Sequence, residues 1–153
     1  THLGYNYRLD EMSAALGLSQ MDRLETLLQQ RERVADWYAQ YLENIEEVSP
    51  PRLVNSTTRV SWFVYVIRVH ESIDRDRLAA ILKANEIPVR PYFAPIHLQP
   101  YMQKMFGYQP GDYPVTEDLG NRSLALPFSG KMTEEEVVTV CQSIADALVS
   151  AQS

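Results

Sequence analysis

Apolar side chains recur at helical spacing over the first third of the chain. Leu9, Met12, Leu16, Leu24, Leu28, Ala35, Tyr38, Leu42 and Ile45 are separated by three, four or sums of those steps. The pattern predicts one helix from Asp10 to Ile45, with the Asp10 carboxylate capping its first turn. At 1.5 Å per residue such a helix runs ~50 Å, longer than a compact domain of this size is wide. It is therefore expected to bridge two domains or two subunits. Ala14, Ala15 and Gly17 near its start either let another backbone approach closely or are a tolerated glycine beside an incidental alanine pair.

Pro50-Pro51 and Asn55 to Thr58 mark a loop that ends the helical pattern. Val60 to Val69 is rich in β-branched and aromatic residues and predicts a strand. Asp74 to Asn85 returns to helical spacing, and Ile87 to Phe93 predicts a second strand. Pro88 and Pro91 place that strand at an edge or a bulge. A short helix after Pro100, a Gly107 to Gly111 turn, a helix from Pro114 to near Ser123 and a brief strand at Leu124 to Phe128 follow. Thr133 and Glu136 form a capping box, with Met132 and Val137 set for a hydrophobic staple. The last helix puts Val137, Val140, Cys141, Ile144 and Leu148 on one side. These elements predict an α+β fold: a long N-terminal helix, then a small, mainly antiparallel sheet with helices on one face. Residues 1–47 form the lead-in and long helix, and residues 48–153 a small C-terminal domain.

Composition adds little to that picture but removes several functions. The 153 residues are 45% apolar and 22% charged with a net charge of −6, enough for one packed core. Arg31 and Arg33 alternate with Glu32, which reads as a solvated helix face, so no nucleic-acid partner is expected. No apolar run is long enough to span a bilayer, and no membrane partner is expected. Cys141 has no partner for an internal disulfide and reads as a small core residue, which suits a cytoplasmic setting.

Two places carry chemistry. Gly4-Tyr5-Asn6-Tyr7-Arg8 directly precedes the long helix, whose N-terminus offers free backbone N–H groups and the positive end of its dipole. Asn6 adds an amide donor, Arg8 a cation, and Tyr5 and Tyr7 phenols, a set suited to phosphate. The same residues also read as a lead-in loop with one capping aspartate and packing tyrosines. In Pro95-Ile96-His97-Leu98-Gln99-Pro100 a histidine sits on a proline-stiffened loop, either as a substrate contact or as a packing residue. The histidines have no metal-ligand spacing, and Glu134, Glu135 and Glu136 belong to a helix first turn. No metal site is expected.

The run Leu3-Gly4-Tyr5-Asn6-Tyr7-Arg8-Leu9-Asp10-Glu11-Met12-Ser13-Ala14-Ala15-Leu16-Gly17 closely resembles a signature of the DegT/DnrJ/StrS-type sugar aminotransferases. Further blocks match in family order: Tyr65 to Arg68, Arg77-Leu78, Glu86 to Arg90, Pro95 to Tyr101, Tyr113 to Glu117, and Ala125 to Phe128. The resemblance covers essentially the whole chain. It implies the C-terminal part of a fold-type I enzyme that uses pyridoxal 5'-phosphate. Such an enzyme works as a homodimer and moves an amino group, commonly from L-glutamate, to a nucleotide-linked keto-sugar. Asn6 is implied at the cofactor phosphate of the neighbouring subunit's site. Tyr7, Arg8 and His97 are implied on the substrate side.

The family's large domain, with its Schiff-base lysine, precedes this signature and is not in this sequence, which opens on Thr1. Lys83, Lys104 and Lys131 all read as solvated surface residues, so no catalytic residue is assigned and the chain alone is expected to be inactive. A sugar dehydratase of the same family, in which the lysine is replaced, is the close enzymatic alternative. A non-catalytic dimerisation module is the alternative from another class.

Overall fold

The computed structural model describes residues 7–151. Among these residues six α-helices and four short strands follow one another, and the N-terminal helical pattern is the first to depart from expectation. It is not one helix but two, α1 (Glu11–Met21) and α2 (Leu24–Leu42). At the junction the Arg23 N–H donates to Gln20 O three residues back, a tightened turn that breaks the four-residue ladder. Apolar periodicity continues through the break, so spacing alone does not reveal it. Asp10 caps α1 as expected, accepting from the Ser13 N–H at 2.9 Å and from the Ser13 hydroxyl at 2.7 Å.

The sheet holds β1 (Val48–Ser49), β2 (Tyr65–Val69), β3 (Arg90–Pro91) and β4 (Ser123–Leu126) in the order β1-β2-β4-β3, with every pair antiparallel. The strand expected over Val60 to Val69 shortens to its last five residues. Trp62 has φ 45, a left-handed backbone that no strand continues through. The strand expected at Ile87 to Phe93 keeps only Arg90–Pro91, at the edge where its prolines put it. Two-residue β1 falls in what the sequence presents as loop.

Period-two alternation sends Tyr65, Ile67, Val69, Leu124 and Leu126 to one sheet face, where all are buried. Against it lie α2, α3 (Arg75–Ala84) and α6 (Glu134–Ala151), through Val34, Tyr38, Leu42, Leu78, Leu82, Val137, Ile144 and Leu148. Tyr38 stacks on Tyr65 at 4.9 Å and donates its hydroxyl to Pro127 O at 2.6 Å, so this deep phenol is both packed and satisfied. The capping box forms as read: Thr133 N–H donates to Glu136 Oε2, and Glu136 N–H to Thr133 Oγ1. Cys141 is buried in the core, its thiol pushed up to about 12 by desolvation, which suits packing and not nucleophilic attack.

On the opposite sheet face, α5 (Pro114–Arg122) brings Leu119 to a cleft shared with Val66 and Arg68. Its close seat depends on Gly120: a Cβ there would lie 2.8 Å from Phe93 O and from Pro95 Cδ. The Arg75 guanidinium donates to Gly120 O and Ser123 O, tying α3 to the end of α5.

Candidate functional site

The loop before α4 (Pro100–Phe106) folds as a short 3-10 turn, Ile96–Leu98, which carries His97 inward. The imidazole is 7% exposed, against 70% for its neighbour Ile96. From the other side come the loop 107–113 and the first turn of α5. Tyr113 meets the imidazole edge-on at 4.8 Å, and Tyr108 does so at 6.3 Å. With Ile96, Met102 and Thr116 these rings wall a cavity of about 270 Å³.

One carboxylate organises this corner. Glu117 Oε1 lies 2.9 Å from His97 Nε2. The same carboxylate accepts from the Gly111 N–H at 2.8 and 3.0 Å and, at 3.4 Å, from the Tyr113 N–H. Gly111 holds φ 97, a backbone that glycine adopts without strain and that turns its N–H toward Glu117. The His97 bond, then the Gly111 N–H, hold the Glu117 carboxyl below the usual carboxylate range. The neighbouring Tyr108 hydroxyl raises the Tyr113 phenol above its ordinary value.

The other predicted site residues lie elsewhere. Tyr7 is 90% exposed and Arg8 is exposed, both on the lead-in to α1, so the described residues enclose neither in a site with His97. Asn6 and Tyr5 lie outside the described residues. The helix terminus that looked open to phosphate is engaged by the Asp10 carboxylate, which already takes the Ser13 amide. None of the residues of α1 is buried, and Leu9, Met12, Leu16, Leu18 and Met21 all stand more than half exposed.

Lys83, Lys104 and Lys131 are exposed, as read. The described residues therefore supply no desolvated amine for pyridoxal phosphate, and the group does not fit a site built from them alone. Among the described residues no cluster of histidine, cysteine or carboxylates could hold a metal ion, and no helix is long and apolar enough to cross a membrane. Sequence reasoning placed Glu117 only within a matching block and gave it no role. As an acidic residue in a helix first turn it signals a dipole interaction, and its partners come from segments that only the fold brings near.

The model of the DegT/DnrJ/EryC1/StrS aminotransferase family matches residues 1–145. The spore coat polysaccharide biosynthesis protein SpsC of Bacillus subtilis is 32% identical over 97% of this chain and 39% of its own length. The GDP-perosamine synthase of Caulobacter vibrioides is 32% identical over 96% of this chain and 39% of its own. Among solved structures, Helicobacter pylori PseC, an aminotransferase involved in the biosynthesis of pseudoaminic acid, superposes with a TM-score of 0.84. It is 25% identical over 98% of this chain and 40% of that chain. The chain thus spans about two fifths of the length of the relatives it matches.

Proposed function

Because the chain belongs to the DegT/DnrJ/EryC1/StrS aminotransferase family, we propose that it is the C-terminal part of a pyridoxal-phosphate enzyme that moves an amino group from L-glutamate to a nucleotide-linked keto-sugar. The observation that carries this reading is the family match over residues 1–145, joined by relatives named for amino-sugar and polysaccharide synthesis. When bound, the coenzyme supplies the electron sink for transamination, and its lysine belongs to a domain beyond these residues.

The chain's own share is positional. Residues 1–47 lead into and form the helical connection between domains and subunits, and residues 48–153 form the small domain. The exposed apolar side chains of α1 support this reading, because Met12, Leu16 and Met21 gain burial only against another surface. In a cytoplasmic homodimer, Asn6 reaches the coenzyme phosphate of the neighbouring site, while Tyr7, Arg8 and His97 border the keto-sugar.

The test is made on the longer protein. Supplied with pyridoxal phosphate, it should absorb in the visible and convert glutamate and a GDP-linked keto-sugar to amino sugar and 2-oxoglutarate. Asn6→Ala should weaken coenzyme binding by about 10- to 100-fold, the usual worth of a hydrogen bond to a charged group. A protein that stays colourless at saturating coenzyme, or that turns over without it, would end the proposal.

A further inference from the structure

The Glu117 carboxylate receives N–H groups from three parts of the chain: a 3-10 turn, a loop and the start of its own helix. A carboxylate in this state only accepts, so the proton on the His97–Glu117 bond sits on Nε2 of the ring. In the neutral imidazole Nδ1 then keeps its lone pair, and the ring offers one acceptor and no second donor. The ring is almost fully enclosed and walls the aromatic cavity together with Met102, Tyr108 and Tyr113. Neither Nε2 nor the ring plane is free to turn while Glu117 holds both the ring and the Gly111 loop.

We propose that Glu117 is a positioning residue for His97, fixing the imidazole through Nε2 so that Nδ1 accepts a hydrogen bond from a hydroxyl of the sugar substrate. This rests on the reading that His97 borders the keto-sugar. The same carboxylate pins the Gly111 loop, so the tyrosines that flank the ring are set by one group. Glutamine replaces it only in part. One amide orientation sets its NH2 against the His97 N–H, donor against donor; the other keeps that bond without the charge and sets the NH2 against the Gly111 N–H.

The experiment labels histidine with 15N in the longer protein and follows long-range 1H–15N couplings, with His97→Asn to assign the resonance. His97 should carry its proton on Nε2, and adding a GDP-linked keto-sugar should shift the bare Nδ1. Glu117→Gln should mix the two tautomers and raise KM for the keto-sugar about tenfold, the cost of loosening one charged hydrogen bond. KM for glutamate and kcat should change little, a split that general loss of structure would not give. If His97→Asn raises that KM and Glu117→Gln does not, the positioning role fails while His97 stays a substrate contact. If His97→Asn leaves it unchanged, the substrate reading of His97 fails and takes the proposal with it. Should Glu117→Gln not fold, the unmutated protein still decides: a proton on Nδ1, or an Nδ1 signal indifferent to the keto-sugar, overturns the proposal.

Discussion

The two N-terminal helices carry one hydrophobic pattern and meet opposite fates. In the second half of α2, Val34, Ala35, Tyr38 and Leu42 are buried against the sheet and α6. Leu9 just before α1 and Met12 and Leu16 within it repeat the same spacing, yet no residue of that helix is buried. Periodicity thus reports that a face is to be covered and does not say by what. For α2 the cover is this chain; for α1 the described residues supply none. The predicted sugar-side residues divide along the same line. His97 is enclosed by its own domain, while Tyr7 and Arg8 sit on the uncovered end.

The contrast is broken most directly in the core. Ile67→Ala empties a fully buried position and should cost about 2–5 kcal/mol in denaturant unfolding. A loss under 1 kcal/mol would mean that the sheet face is less well packed than described. Gly120→Ala comes next. Its Cβ meets backbone and a proline ring, neither of which yields easily, and calorimetry should show a loss of about 1–3 kcal/mol. An unchanged melting temperature would show that α5 slides away without penalty.

A subtler effect follows from acid. Glu117 and Asp118 titrate below their ordinary values of 4.5 and 3.8, held there chiefly by His97 and by Arg122. Their contribution to stability is therefore complete above those values and disappears as pH falls through the lowered ones. In melting curves from pH 7 to 3, Glu117→Gln should start below the parent and converge on it in acid. Parallel curves would show that the carboxylate is not held as described.

The smallest change in the chain's own stability comes from α1. Leu16→Ser should move it by no more than about 0.5 kcal/mol, because the side chain is exposed. In the longer protein the same substitution should weaken assembly, read by sedimentation. A large loss in the isolated chain would show that α1 is covered after all.

What could be read in advance was local. The Asp10 cap, the Thr133–Glu136 box, α3 and the buried stripe of α6 each depend on residues a few positions apart, and each formed where the pattern put it. Elements that depend on distant partners were less legible. Val48–Ser49 becomes a strand only because β2 lies beside it, and Glu117 acquires its partners only when the 3-10 turn and the Gly111 loop arrive. The break between α1 and α2 left no trace in composition, since neither proline nor glycine marks it.

The outer margins of the sheet bear on how copies of this molecule meet. One margin is a two-residue strand, too short to template a neighbour, and the other contains Pro91, which has no N–H to offer. Strand-to-strand annealing between molecules is thereby discouraged at both flanks. A helical route to self-association is left open, and the domain can expose an oily helix without also inviting fibrils.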